Sequence, residues 1–218
     1  MQAMFHTIAP RYDFITRAFS FGMDARWKRR AVERACLERG ARVLDLACGT
    51  GDFAHLTRER GAWPVGADLT LRMLTQSHER FDAVCADACL LPFPDQSFDA
   101  VFTGYGVRNF PKLAEALLEV RRVLRPGGKL VVLDFYLPEN RFYRKLYLGY
   151  LHVQGALWGA ILHGKPDVYT YIPRSLEGFL TAGEFSSLLR KQGFENVSTA
   201  TFLLGGIALH WASRAGLR

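Results

Sequence analysis

Cysteine is scarce in this chain: four residues, Cys36, Cys48, Cys85 and Cys89, with no Cys-x-x-Cys pair and no histidines at metal-ligand spacing. That excludes a zinc ribbon, a thioredoxin-type redox centre and a disulfide framework, and no metal site is expected. The thiols read as the reduced, structural cysteines of a cytoplasmic protein. Long apolar runs are missing too; a membrane span needs about 20 predominantly apolar residues, and none is found. The start, Met-Gln-Ala-Met-Phe-His, has neither a basic leader nor an apolar core, so no secretory signal is expected. No segment is repeated or of low complexity, and there is no Pro-Pro dipeptide. Acidic residues are fewer than basic ones, 21 against 28, leaving a net charge of +7. Such a balance suits nucleic acid or an anionic membrane face. The nearest basic and aromatic cluster, Arg26-Trp27-Lys28-Arg29-Arg30, reads more readily as the solvated face of a helix, whose long stems cover apolar surface.

What is present is organised around Val43 to Gly51, Val-Leu-Asp-Leu-Ala-Cys-Gly-Thr-Gly. A short apolar strand runs into a glycine turn, and a helix-like stretch begins at Asp52. The glycines let the backbone approach a ligand laid over the helix N-terminus, where unpaired N–H groups collect. The spacing is neither the dinucleotide Gly-x-Gly-x-x-Gly nor a phosphate loop ending in Gly-Lys-Ser/Thr. It is Asp-x-x-x-Gly-x-Gly, Asp45 through Gly51. A second strand, Pro64–Asp68, ends in a carboxylate suited to two ribose hydroxyls, and a third, Ala83–Ala86, ends at Asp87.

Strands and helices then alternate. Phe98–Thr103 reads as a strand and Lys112–Leu124 as an amphipathic helix stopped by Pro126-Gly127-Gly128. Lys129–Phe135, with no polar alternation, reads as a strand buried on both faces. Regular βα repetition implies an α/β, doubly wound, mostly parallel sheet that binds its ligand at the carboxyl ends of the strands. Before it, Met4–Phe21 reads as a helix-turn interrupted by Pro10, followed by a helix from an Asp24 N-cap to about Leu37. After it, Leu146–His163 carries no formally charged residue and reads as a buried or interfacial helix. Thr181–Gln192 reads as a helix, and Val197–Leu203 with Ile207–Ala212 as a hairpin turning at Gly205-Gly206.

The order of these acids and glycines resembles the class I S-adenosylmethionine-dependent methyltransferases, whose Rossmann-like seven-stranded sheet has an antiparallel last strand. The resemblance implies S-adenosyl-L-methionine as cofactor. It places Asp45, Ala47, Gly49 and Gly51 at the methionine end, Asp68 and Leu69 at the ribose, and Asp87 and Ala88 at the adenine. The stretch Gly106-Val107-Arg108-Asn109 narrows it to the ubiquinone/menaquinone C-methyltransferases. So do Met4–Asp13 with Ser20-Phe21-Gly22 and Trp27, Tyr171–Ser175, and Gly205–His210. DNA amino-methyltransferases carry Pro-Pro-Tyr where this chain has Gly104-Tyr105-Gly106, so nucleic acid is not expected as a partner.

This closer resemblance implies methylation of a ring carbon in a prenylated hydroquinone, such as demethylmenaquinol, at the membrane surface. The implied location is cytoplasmic, peripheral at the inner face, with homo-oligomerisation open. Arg108 and Asn109 are the implied organisers of the quinol oxygen or its attendant water, Asp52 serves the methionine end or the proton path, and Tyr12 and His210 are pocket candidates. Residues 1–218 are expected to form one methyltransferase domain: a helical lid (1–40), a cofactor-binding core (41–135), an apolar substrate-side insertion (136–180) and a closing helix and strand pair (181–218). Two other readings stay open, a diverged paralogue acting on another apolar or aromatic acceptor, and a cofactor-binding protein without turnover.

Overall fold

The computed structural model describes residues 12–76 and 81–216, with side chains from residue 15 onward. The expected opening helix-turn therefore lies partly outside the described residues, which exclude Pro10 and the Met4–Arg11 part of the family motif. Its described remainder is α1, Tyr12–Phe19. Asp24–Ala35 follows as α2, which buries Trp27, Ala31, Val32 and Ala35 on one face. Asp24 is not its N-cap: Met23 holds that position without a side-chain bond, and the Asp24 carboxylate turns inward instead.

Among the described residues seven strands form one sheet: β1 Arg42–Leu46, β2 Trp63–Asp68, β3 Asp82–Cys85, β4 Phe98–Gly104, β5 Leu124–Phe135, β6 Phe194–Phe202 and β7 Ile207–Arg214. Their spatial order is β3-β2-β1-β4-β5-β7-β6. The first five pair in parallel. β7 inserts antiparallel between β5 and β6, so the expected hairpin is present, with β6 as the edge. The turn between them is a tight Leu203–Gly205 helical turn in which Leu204 adopts a left-handed backbone, φ 50. The crossovers include α3 Asp52–Arg58, α4 Leu71–Leu74 and α5 Leu113–Val123. Pro126-Gly127-Gly128 falls inside β5 rather than ending a helix: α5 stops at Val123, and the register shift against β4 lies between Phe98 and Ala100.

Alternation along the strands separates two apolar layers. Val43, Val131, Leu133, Ile207 and Leu209 face α1, α2 and the segment after β5. Leu44, Leu46, Leu130, Val132 and Ala208 face α5 and α8, Ala182–Lys191. The segment after β5 is α6, Arg141–His163, capped by the Asn140 side chain at Phe142 and Tyr143, followed by a short helical turn at Pro166–Tyr169 and α7, Tyr171–Glu177. It starts five residues earlier than the uncharged stretch, because its first turn is charged and amphipathic. Gly155 and Gly159 let it lie on that turn; a Cβ would meet Tyr169 O at 2.9 Å or Lys165 O at 2.5 Å.

β1 and β4 are adjacent, and their crossovers leave in opposite directions across the sheet. A crevice opens at their carboxyl ends, as it does at such a switch point in other doubly wound sheets.

Candidate active site

The crevice is bounded by the β1–α3 turn, the end of β2, the Asp87–Cys89 loop, the end of β4 and one residue of α2, Lys28. Gly51, at φ 94, caps α3 and has no side chain to offer its free N–H groups. Asp45 supplies the missing acceptor from the strand, taking the Ala54 N–H at 2.9 Å. Burial pushes the Asp45 carboxyl up to about 8, against the pull of that hydrogen bond. The glycines serve the turn more than the ligand. A Cβ on Gly51 would overlap the Phe81 ring, and the Gly49 N–H donates to Asp68 Oδ2 at 3.0 Å.

Asp68 also accepts the Thr70 N–H on Oδ1, at 2.8 Å. Each carboxylate oxygen keeps lone-pair capacity, so one side chain can shape the turn and still receive a diol. Burial raises its carboxyl above the usual range, opposed by those two backbone donors. Ala47, Leu69, Asp87 and Ala88 line the same crevice. Ala47 sits at φ 54, and Gly106 must lack a side chain opposite it, since a Cβ there would lie 2.7 Å from Ala47 Cβ. Seven of the eight residues expected around a nucleotide-like cofactor line this crevice; Gly51, the cap of α3, does not.

The acceptor side differs from expectation. Asn109 lines the crevice, and its buried Oδ1 has no hydrogen-bond partner. A buried acceptor left empty is costly, which makes this atom a natural receiver for a ligand's donor. Arg108 does not reach the crevice. Its side chain is 2% exposed and pairs with Asp134 at 2.5 Å, with further bonds to Tyr105 O at 2.6 Å and Ser175 Oγ at 3.3 Å. It also stacks over Phe135. As an organiser of the quinol oxygen or its attendant water it therefore has no direct contact with the crevice: β5 delivers a buried carboxylate beneath the turn, and the guanidinium points at that charge instead of outward.

His210 is corrected as a pocket candidate. Along β7 it falls on the α8 face, fully buried, where its ring packs on Tyr136 and Phe185 and Nε2 meets Ala182 O at 3.0 Å. Burial lowers its pKa to about 4, so the ring is neutral. Tyr12 begins α1, and its side chain lies outside the described residues.

Sequence reasoning missed the crevice's own cation. Lys28 Nζ lies 2.6 Å from Asp24 Oδ2 and 2.5 Å from Asp52 Oδ2. Burial acts to lower its pKa, but the two carboxylates more than offset this and raise it, which favours the ammonium form. Tyr105 donates its hydroxyl to Asp24 Oδ1 at 2.7 Å, and its ring lies under Lys28. The Tyr105 backbone is in the left-handed region at φ 58, held there through its carbonyl by Arg108. A chain of contacts thus runs from Asp134 through Arg108, Tyr105, Asp24 and Lys28 to Asp52. The signal was in the sequence: an Asp-Lys pair four residues apart shares a helix face with Trp27 and Ala31, whereas Arg26, Arg29 and Arg30 face solvent.

Known proteins resemble this chain along its length. Residues 1–214 match the model of the ubiE/COQ5 methyltransferase family. The demethylmenaquinone methyltransferase of Thermus thermophilus is 40% identical over 97% of this chain and 100% of its own. The ubiquinone/menaquinone biosynthesis C-methyltransferase of Geobacter sulfurreducens is 37% identical over 99% of this chain and 88% of its own. Among solved structures, a SAM-dependent methyltransferase of Thermotoga maritima superposes with a TM-score of 0.71 at 20% identity, covering 98% of this chain and 100% of that one. That likeness establishes the class I methyltransferase fold.

Proposed function

The chain belongs to the ubiE/COQ5 methyltransferase family, and from this we propose that it moves a methyl group from S-adenosylmethionine to a ring carbon of a prenylated hydroquinone, demethylmenaquinol first among them. The end-to-end match to demethylmenaquinone methyltransferases carries the reading. The crevice supports the cofactor: Asp68 keeps free lone pairs for a ribose, Asp87 and Ala88 border the far end for adenine, and Asp45 with the glycine turn borders the methionine end. When bound, the cofactor supplies an electrophilic methyl on a cationic sulfur.

The protein's part is to hold the acceptor in line, exclude water and handle one proton. A quinol hydroxyl ionises near pH 10, so the ring carbon gains nucleophilicity only if that ionisation is eased. Lys28 is the fixed cation beside the crevice, with one of its three N–H bonds left for a developing oxyanion. Asp52, half exposed and hydrogen-bonded to Lys28, is the carboxylate available to take the proton. Asn109 Oδ1 accepts from the acceptor's hydroxyl or the cofactor's amine. Arg108 positions: it fixes Tyr105, whose hydroxyl fixes Asp24.

Transfer of labelled methyl to a short-chain demethylmenaquinol, kept reduced, beside a benzoquinol analogue and an RNA control, tests the reading. Label in the naphthoquinol is the expected result, and label in the benzoquinol as well would widen the acceptor class. Label in neither, with cofactor bound, would return the choice to a diverged paralogue or a protein without turnover.

A further inference from the structure

The outer face of α6 is apolar and bare among the described residues. Its inner face buries Tyr147, Leu151, Gly155 and Gly159. Phe142, Leu146, Val153, Leu157 and Ile161 are each between 54% and 74% exposed. At 3.6 residues per turn these five fall within an arc of about 100°, so they form one ridge along roughly 28 Å of helix. Two more exposed side chains adjoin it. Phe21 stacks on Tyr150 at 5.5 Å, and Leu204, 78% exposed, crowns the turn whose Leu203 carbonyl accepts the Tyr143 hydroxyl.

The same turn leads to a basic face. Phe202, next before it, carries the Arg30 guanidinium over its ring at 5.8 Å and stacks on Trp27. On that side of α2, Arg26, Arg29, Arg30 and Arg34 line one groove with a single acid, Glu33. Arg141 and Lys145 at the start of α6 and Lys165 beyond its end are exposed as well.

We propose that the α6 ridge, the β6–β7 turn and the α2 arginine row form one docking surface for an anionic phospholipid bilayer. The helix lies in the interface, its ridge among the upper acyl chains and the guanidinium groups on lipid phosphates. No described helix is long and apolar enough to cross a membrane, which fits a helix lying flat. A two-fold pairing of this face would set arginine rows against each other, and nucleic acid offers nothing apolar to cover the ridge. The proposal rests on the prenylated-quinol reading for its biological sense, because an acceptor with an isoprenoid tail resides in that bilayer, but the docking itself is tested separately.

The full chain is sedimented with vesicles of phosphatidylcholine containing 30% phosphatidylglycerol and with vesicles of phosphatidylcholine alone. Binding is expected with the anionic vesicles, weakened in 0.5 M salt. Val153→Glu with Leu157→Glu should weaken it at least tenfold, and Arg26→Gln with Arg30→Gln about fivefold per charge removed. All four substitutions lie outside the crevice, so transfer to a short-chain quinol in solution should stay at the parental level. Equal binding by parent and Glu variant would overturn the proposal. So would absent vesicle binding together with a parental dimer that the Glu variant makes monomeric, or RNA displacing the vesicles. Vesicle binding without methylation of any quinol would overturn the quinol reading and leave the docking surface standing.

Discussion

Lys28 donates to two carboxylates from different helices, so its removal strands both charges. Lys28→Met should cut turnover by about 100-fold, with Lys28→Arg restoring much of it. Parental turnover in a folded Met variant would remove Lys28 from the reaction. Asp68→Ala loses the acceptor for Gly49 and Thr70 as well as the diol site, and calorimetry should show cofactor binding weakened about 10- to 100-fold. Arg108→Ala leaves Asp134 buried without its counter-charge, a loss of about 3–5 kcal/mol in denaturant titrations, so stability falls with activity. If instead activity vanished at parental stability, the guanidinium would have to reach the acceptor after all. Asp45, Asp68 and Asp87 were legible because strand ends in a βα repeat expose their side chains to one crevice. Lys28 was overlooked, because the Asp24–Lys28 spacing sits in an arginine-rich run that looks solvated unless the helix face shared with Trp27 is weighed.

At the level of elements, α6 depends on what two glycines omit. Gly159→Leu would drive a side chain into the backbone at Lys165 and Pro166, and a loss of about 1–3 kcal/mol in thermal unfolding is expected, against little change for Gly149→Ala, which meets nothing nearby. The reverse order would mean that the helix does not lie on that turn. α6 was visible in the sequence as an uncharged stretch, yet composition alone could not say which side faced inward. The α5–β5 junction shows another limit: Pro126-Gly127-Gly128 looks like a helix stop, but β4 offers a ladder that draws Leu124 into strand first, and the irregularity is absorbed as a register shift. The α3 start shows the converse, since a glycine N-cap seems weak until Asp45 arrives from the neighbouring strand.

For the whole molecule, the pH dependence of stability carries the mark of what the core encloses. His210 is held near pKa 4 when folded and returns to 6.5 when unfolded, so the unfolded chain binds the extra proton between those values. Its contribution is full above pH 6.5 and falls away as pH drops toward 4, by about 3 kcal/mol at 1.36 kcal/mol per unit. Asp45, raised to about 8, works the other way from pH 3.8 to 8, since there the folded chain holds the proton. The two nearly cancel in the parent below pH 6.5, so the test is the difference between parent and His210→Gln. That difference should grow in the parent's favour from pH 4 to 6.5 and then level off, and a flat difference would show that His210 titrates alike in both states.

By itself the sequence determined the βα alternation, the doubly wound sheet with its closing hairpin, the acidic strand ends and the family, because periodicity and glycine spacing are local properties of the chain. Only the tertiary structure decided which polar groups meet. Asp134 and Arg108 lie 26 residues apart, Tyr105 and Asp24 lie 81 apart, and Lys28 and Asp52 lie 24 apart. No local pattern encodes such encounters; they follow from strand order, which seals Arg108 beneath the turn, turns His210 into the core and brings Lys28 to the crevice.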